Sequence, residues 1–318
     1  MTPEEVIEGV RAGKRRAIGR AISMTEQPGA DGRAVLAALH PHTGRAIRVG
    51  LTGPPGAGKS TLTAALVRHL RAAGTTVAIV SVDPSSPFTD GAVLGDRIRL
   101  VDHFLDDGVF IRSMATRGHL GGLSEATGHA VEILDAAGFD VVIVETVGAG
   151  QNEVEVQALA ETVVLVLIPG SGDAIQAIKA GVMEIPDVIV INKADRPGAG
   201  VLASEIDQAL TLVPIDGWKP PVLLTQAIDG DGVVELWGAI NDHRAVLAEG
   251  DALDARRRDG MRRRLRVLAL ERMARDLDAA IDDAALDALA ARVVAREVDP
   301  SAAADTMTAA TRKEADGE

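Results

Sequence analysis

The chain has 318 residues, of which 47% are hydrophobic and 2% aromatic, and its formal net charge is −13. It is long enough to bury a sizeable core, which must consist mainly of Val, Leu, Ile and Ala because Tyr is absent. The negative charge argues against nucleic acid as a partner, and the absence of Cys excludes disulfides and thiolate metal sites. The chain contains neither a signal-peptide pattern nor an apolar run of membrane-spanning length, so we expect a cytoplasmic protein with no membrane partner.

Polar helices open the chain, over Pro3 to Val10, around Ala17 to Ile22 and near Arg33 to His40. From Ala46 onward, short runs rich in Val and Ile alternate with amphipathic stretches. These runs are 46–52, 76–83, 109–114, 141–146, 162–168, 187–192 and 221–225. They lack the polar alternation of half-exposed strands, which is typical of strands covered on both faces. The pattern predicts an α/β fold with a doubly wound, mostly parallel sheet.

The strand pattern ends at about Asp251, and residues 256–297 are predicted to be helical. Four apolar residues recur there at spacings of three and four, which places them on one face of a helix: Leu270, Met273, Leu277 and Ile281. The Ala-rich stretch after Pro300 predicts a short final helix. We therefore divide the chain into an N-terminal helical extension (1–45), an α/β domain (46–250) and a C-terminal helical segment (251–318).

A phosphate-binding motif follows the first predicted strand. The segment G-P-P-G-A-G-K-S-T matches G-x-x-x-x-G-K-[ST] and precedes a helix predicted from Ser60 to Ala73. Glycines allow successive backbone N–H groups to point inward at phosphate oxygens, and the helix N-terminus adds partial positive charge. Lys59 should reach the β- and γ-phosphates, and the Ser60 hydroxyl should ligate Mg²⁺. The predicted loop consists of Gly53, Pro54, Pro55, Gly56, Ala57, Gly58, Lys59, Ser60 and Thr61. The alternative is a Gly-rich turn with a solvated lysine.

The sequence Asn192-Lys193-Ala194-Asp195 closes the run 187–192. A carboxylate there can accept hydrogen bonds from N1–H and N2–H₂ of guanine, whereas adenine would leave it unpaired. We expect Asp195 to select guanine, Asn192 to hold the loop and the Lys193 stem to cover the ring. The motif therefore favours Mg²⁺ with GTP or GDP as the ligand, although four residues alone can also be a structural loop.

Three carboxylates stand at strand ends or in Gly-rich loops and are candidates for holding Mg²⁺ through its waters: Asp83, Asp96 and Glu145. We also place Lys59, Asp83 and Glu145 among the catalytic candidates. The backbone N–H of Gly148 could sense the γ-phosphate, and Gln151 could orient the attacking water. The alternative for each carboxylate is an exposed loop residue or a helix N-cap.

Several long segments together resemble one family. They are 82–100, 111–124, 142–153, 170–195 and 298–307, in that order along the chain. With the phosphate loop they resemble the MeaB/ArgK/MMAA family of SIMIBI-class GTPases, the chaperones of adenosylcobalamin-dependent methylmalonyl-CoA mutase. The resemblance implies a GTPase that gates cobalamin loading, protects an acyl-CoA mutase from inactivation and forms a homodimer through its C-terminal helices.

The resemblance also implies roles for particular residues. The switch segments would correspond to 83–97, 145–153 and 170–179. Asp83, Asp96 and Glu145 would then belong to the Mg²⁺ and catalytic set, and the loop of Gln226, Ala227 and Ile228 would contact guanine. The chain departs from the usual family pattern at Gln226, where Ser is common, at Asp90, where Gly is common, and at Ala174, where an acidic residue is common.

Two other functions remain open from the residues. A nickel-type metal-delivery GTPase predicts Cys or His ligands near the switches or a His-rich tail, and the sequence has neither. A P-loop kinase linked to amino-acid transport predicts adenine selectivity, whereas Asp195 favours guanine.

Overall fold

A computed structural model describes residues 1–26, 29–83, 105–115, 125–146, 152–170, 186–212 and 217–315. The chain divides into two compact units, residues 1–260 and 261–318, and each is described by itself. Within the described ranges, no helix is both long and apolar enough to cross a membrane.

Among the described residues of the first unit, seven parallel strands form one sheet, in the order β3-β2-β4-β1-β5-β6-β7. They are β1 (Ile47–Thr52), β2 (Val77–Asp83), β3 (Val109–Ala115), β4 (Val141–Thr146), β5 (Thr162–Leu167), β6 (Val188–Asn192) and β7 (Val222–Thr225). Every residue of β4, β5 and β6 is buried, because helices cover both faces of the sheet. The doubly wound parallel fold predicted from the Val- and Ile-rich runs is confirmed.

Eight α-helices lie within the described part of the first unit, and a ninth begins there. They are α1 (Pro3–Arg11), α2 (Arg15–Thr25), α3 (Ala30–Leu39), α4 (Lys59–Ala72), α5 (Glu125–Ala136), α6 (Asn152–Leu159), α7 (Ala199–Leu212), α8 (Val233–Ala248) and α9 (Ala252–Ala280). A short 3₁₀ turn, His40–His42, precedes β1. Helix α1 begins with a capping box, in which Thr2 accepts from the Glu5 amide and Glu5 accepts from the Thr2 amide.

The N-terminal helices form an additional layer on one side of the sheet. Helices α1, α2 and α3 pack against α5, which packs on β2 and β4. Their apolar sides are fully buried at Val6, Val10, Ile18 and Ile22 and belong to the same core cluster as Val142 of the sheet. The segments that read as polar in the sequence are therefore amphipathic helices, with their charges on the outer side. Helices α4 and α8 cover the opposite face.

A buried carboxylate fixes the chain where it enters β1. Asp135 in α5 accepts hydrogen bonds from the backbone N–H groups of Gly44, Arg45 and Ala46 at 2.7 to 3.0 Å. It also forms a 2.8 Å ion pair with the Arg48 side chain. Four donors thus compensate one buried charge, which ties α5 to the strand that carries the phosphate-binding motif.

The second unit contains the remainder of α9 together with α10 (Asp283–Val294) and α11 (Pro300–Ala315). Asp282 caps α10 by accepting from the Ala285 amide at 2.7 Å. The apolar face predicted in α9 is largely open to solvent in the single chain. Leu270 is 61% exposed and Met273 is 67% exposed.

Candidate functional site

The predicted motifs meet at the carboxyl edge of the sheet. Strands β2, β3 and β4 lie on one side of β1, with β4 next to it. Strands β5, β6 and β7 lie on the other side, with β5 next to it. The loops after β1, β6 and β7 therefore leave the sheet at one edge, around the strand where the chain changes sides. In doubly wound sheets this is the position of the ligand-binding crevice.

Two glycines of the phosphate loop lie where a side chain would be strained and would meet a close neighbour. Gly53 has φ 136°, and a Cβ there would overlap the carbonyl oxygen of Val166 in β5. Gly58 has φ 90°, and a Cβ there would overlap the side-chain amide of Asn192. Both positions combine a left-handed backbone with a close neighbour, so the sequence needs glycine twice in this motif.

Lys59 is the first residue of α4, and its side chain is buried in the loop. Its ammonium donates to the carbonyl oxygens of Gly53 at 2.7 Å and Pro54 at 3.0 Å. A helix leaves its first amides without intrahelical acceptors, and the N-cap residue Gly58 has no side chain that could accept from them. The loop therefore presents a lysine and a helix N-terminus, which is a combination that binds phosphate.

An acidic group lies beside the first turn of α4. The hydroxyl of Ser60 donates to Oε1 of Glu145, at 2.5 Å, and the hydroxyl of Thr63 donates to Oε2 of the same carboxylate, at 2.9 Å. All three side chains are buried. A carboxylate and a hydroxyl are hard oxygen donors of the kind that Mg²⁺ prefers, so the chemistry of this group fits a magnesium ion bound with a nucleotide.

Asn192 joins three loops of the site. Its Nδ2 donates to the carbonyl oxygen of Ala57 in the phosphate loop at 2.9 Å. Its Oδ1 accepts from the Thr225 hydroxyl at the end of β7, at 3.1 Å, and from the Ala227 amide in the loop after β7, at 3.2 Å. Lys193 has φ 58° and donates to the carbonyl oxygen of Gly56 at 2.8 Å. The two loops predicted to contact the base are thus bonded to the loop predicted to hold the phosphates.

The side chains predicted to contact the base differ in exposure. The Asp195 side chain and Ile228 are exposed, Ile228 by 78%, whereas Ala227 is buried. The amide of Gln226 donates to the carbonyl oxygen of Asp231 at 3.0 Å, and its side-chain amide donates to the carboxylate of Asp229. The Gln226 side chain is thus held within its own loop.

Several predicted positions lie outside the described residues: Asp96, Gly148 and Gln151. Asp83 ends β2, where its backbone pairs with Ala115, but its side chain is also outside the description. Sequence reasoning missed Thr63. The available signal was its position three residues after Ser60, which puts both hydroxyls on the same side of a helix.

Comparisons with known proteins give one consistent family. Residues 18–282 match the family model described as methylmalonyl-CoA mutase-associated GTPase MeaB. A putative GTPase from Pyrococcus horikoshii is 46% identical over 308 residues, which cover 96% of each chain. GTPase ArgK from Escherichia coli K12 is 39% identical over 261 residues, or 79% of each chain.

Two further comparisons concern a eukaryotic protein and a solved structure. The mouse protein named methylmalonic aciduria type A homolog, mitochondrial, is 36% identical over 215 residues, which are 66% of this chain and 52% of its own. A crystal structure described as LAO/AO transport system kinase shares the fold with a TM-score of 0.72, at 30% identity and with 96% of both chains covered.

Proposed function

Because the chain belongs to the family of methylmalonyl-CoA mutase-associated GTPases, we propose that it is a chaperone that gates adenosylcobalamin loading of an acyl-CoA mutase and protects that mutase from inactivation. It hydrolyses GTP, as its family does. The structural observation that supports GTP as the ligand is the link made by Asn192 between the phosphate loop and the segments at the ends of β6 and β7.

Lys59 and Ser60 would hold the phosphates and the metal of a bound Mg²⁺–GTP. The Lys59 ammonium donates to two loop carbonyls. It would turn from them to the β- and γ-phosphates, because charged phosphate oxygens are stronger acceptors. Ser60 and Glu145 would hold Mg²⁺ and its waters, with Asp83 and Asp96 as further candidates. When bound, the cation neutralises charge that develops on the transferred phosphoryl group. Gly148 and Gln151 keep their proposed roles at the γ-phosphate and the attacking water.

Guanine would be recognised by Asp195, whose carboxylate matches the two donors on one edge of the base. The position of this carboxylate follows from the Lys193 and Asn192 contacts, which fasten its loop to the phosphate loop. The backbone of Gln226, Ala227 and Ile228 would border the base on the side of β7. Adenine would leave the carboxylate without a donor, which gives the site its selectivity.

GTP binding at the phosphate loop is tested by substituting one lysine that belongs to the loop and one that does not. Lys59→Ala should weaken GTP binding by at least about a hundredfold, because it removes the only charge of the loop motif that faces the phosphates. Lys219→Ala is the matched control, since Lys219 pairs with Asp207 at the surface. Binding is measured with a fluorescent GTP analogue in the presence of Mg²⁺. Equal losses in the two variants, or none in Lys59→Ala, would remove the assignment.

A phosphotransferase role linked to transport is the second candidate, because the similar solved structure is described as a transport-system kinase. The two candidates differ in the base they select. Unlabelled ATP is added at the same concentration as labelled GTP, and ATP should leave the GTP bound. Displacement of half the label by ATP would favour the kinase and contradict guanine selectivity.

The partner proposal is supported by the family description and by the name of the mouse relative. The exposed Leu270 and Met273 of α9 support a homodimer through the C-terminal helices. Both are tested by mixing the purified protein with an adenosylcobalamin-dependent methylmalonyl-CoA mutase, with GDP or a non-hydrolysable GTP analogue. We expect co-elution that depends on the nucleotide and a changed rate of cobalamin transfer to the mutase. Separate elution of the two proteins with either nucleotide would refute the chaperone role.

A further inference from the structure

We propose that Thr63 is a positioning residue of the magnesium site, where it fixes the Glu145 carboxylate against the Ser60 hydroxyl. The proposal rests on the Mg²⁺–GTP site proposed above and adds a residue that lies outside the phosphate-loop motif. It starts from two hydrogen bonds that reach one carboxylate from the same helix. Ser60 holds Oε1 at 2.5 Å and Thr63 holds Oε2 at 2.9 Å.

The fold brings these groups together through the helix repeat and the sheet register. Ser60 and Thr63 are three residues apart in α4, so their side chains lie on the same side of the helix. Glu145 is the fifth residue of β4 and pairs in register with Leu51 of β1, two residues before the phosphate loop begins. The carboxylate therefore faces the first turn of α4, and each of its oxygens meets a hydroxyl.

Thr63 is suited to hold a carboxylate in a fixed orientation. It is fully buried, and a buried hydroxyl is almost always hydrogen-bonded, so the bond to Glu145 satisfies both groups. Thr is branched at Cβ, which leaves it two main χ1 rotamers in a helix, and the hydrogen bond to Glu145 selects one of them before any ligand arrives. Glu145 has three rotatable side-chain bonds, and the second hydrogen bond limits the rotation of its carboxylate.

The hydrogen bond to Glu145 determines which way the lone pairs of Ser60 point, and therefore whether Ser60 can ligate the metal. A serine hydroxyl has one proton and two acceptor lone pairs. When its proton is donated to Oε1 of Glu145, the lone pairs of Ser60 face away from that carboxylate and can ligate a cation. If the Glu145 carboxylate turned away, the Ser60 proton could be donated to other acceptors, and the Ser60 lone pairs would no longer be aligned with the cation. Thr63 thus acts on Mg²⁺ through Glu145 and Ser60, without touching the cation.

The test uses two pairs of variants that separate the hydroxyl from the volume of the side chain. Thr63→Val keeps the shape of the native residue without its hydroxyl. Thr63→Ser and Thr63→Ala share the loss of the methyl group and differ in the hydroxyl. We measure the Mg²⁺ concentration that gives half-maximal GTP hydrolysis, together with kcat, and GDP affinity in EDTA. Thr63→Val should raise that Mg²⁺ concentration about tenfold, as for loss of a hydrogen bond to a charged group. GDP affinity in EDTA should stay at the native value.

The conservative variant and a distant threonine complete the design. Thr63→Ser should keep a Mg²⁺ requirement near that of the native protein, and Thr63→Ala should resemble Thr63→Val. If Thr63→Val does not fold, as judged by its circular dichroism melt, the Ser and Ala pair still isolates the hydroxyl. Thr162→Val is the matched control. Thr162 is a buried threonine at the start of β5, and its hydroxyl contacts His243 instead of a residue of the magnesium site.

The possible outcomes distinguish a failure of the role proposed for Thr63 from a failure of the magnesium site on which it rests. Native hydrolysis that ignores Mg²⁺ would refute the magnesium site and Thr63 with it. Native hydrolysis that requires Mg²⁺, with the same requirement in Thr63→Val or in both the Ser and Ala variants, would overturn the role of Thr63 alone. An equal shift in Thr162→Val would also overturn it, because the effect would then be general loss of stability.

Discussion

Acidification is expected to destabilise the first unit through His243. This histidine lies in α8, is 2% exposed, and has Nδ1 2.9 Å from the Thr162 hydroxyl. Its ring lies 5.2 Å from the Trp218 ring, and its Nε2 is 3.4 Å from the carboxylate of Asp187. Burial, and secondarily the charge of Arg256, lower the pKa of His243 from 6.5 to about 4. The neighbouring carboxylate would favour a charged imidazole, but it is already bound by Arg256 at 2.5 and 3.0 Å, so we take burial to dominate.

The sign and the size follow from proton linkage. A histidine whose folded pKa is depressed contributes stability that is present above its unfolded pKa and is lost as the pH falls toward the folded value. With an unfolded pKa of 6.5 and a folded pKa of about 4, the free energy of unfolding should fall by about 2 kcal/mol between pH 7 and pH 5. Burial raises the pKa of Asp187 despite its Arg256 partner, so that carboxyl acts with the opposite sign and reduces the net loss.

The assay is denaturant unfolding at pH 7, 6 and 5, followed by tryptophan fluorescence. His243→Gln removes the titrating ring, so its stability should depend less on pH than that of the native protein, with a difference in slope worth about 2 kcal/mol over this range. His40→Gln, at an exposed histidine of the 3₁₀ turn, should follow the native protein. If His243→Gln and the native protein lose the same stability between pH 7 and pH 5, the burial argument is wrong.

Three further substitutions test base selection, the stabilising contacts at the start of β1, and the need for glycine in the phosphate loop. Asp195→Asn should weaken GTP by roughly a hundredfold and favour xanthosine triphosphate, measured by competition, because an amide donates where the carboxylate accepted. Asp135→Ala should lower the free energy of unfolding by about 3 kcal/mol because it leaves four donors without their buried acceptor, whereas exposed Asp107→Ala should change it little in the same denaturant titration. Gly53→Ala should abolish GTP binding because its Cβ would overlap a β5 carbonyl, whereas Gly138→Ala, at φ 90° with no close neighbour, should bind GTP normally. Equal GTP affinities in the two glycine variants would contradict the steric argument.

Local sequence predicted the central strands because β4, β5 and β6 are covered on both faces and therefore read as uninterrupted apolar runs. The run 141–146 coincides with β4, and the run 162–168 differs from β5 by one residue. The N-terminal helices were predicted as helices, but their packing was not, because the apolar side of a helix does not identify its partner. The buried cluster of Val6, Ile18 and Val142 joins residues far apart in the chain. The same limit applies to Leu270 and Met273, whose spacing predicted one apolar face of a helix but not whether that face is covered; in the single chain both are exposed.

The candidate site could be predicted as separate motifs but not as a set of contacts. The phosphate loop and the N-K-x-D sequence each carry a local signature, and the rule for doubly wound sheets predicts that both lie at the carboxyl edge. The bond from Asn192 to the carbonyl of Ala57 joins positions 135 residues apart, and no local pattern specifies it. Thr63 was missed for the same reason, since the carboxylate that gives its hydroxyl a role lies 82 residues further along the chain.

The described contacts divide the site into two halves that should respond differently to the nucleotide. The base half is held by Asn192, whose three hydrogen bonds go to protein groups and require no phosphate. GDP and GTP share the same base, so this half should be alike with either nucleotide. The phosphate half is different. Its Lys59 ammonium donates to loop carbonyls and its Ser60 hydroxyl to Glu145, and under the proposed function phosphates and a cation would compete for those same groups. Glu145 belongs to β4, and the chain runs directly from this strand into the predicted second switch. A signal that distinguishes GTP from GDP should therefore leave the site through β4, on the opposite side of β1 from the loops that are proposed to contact the base.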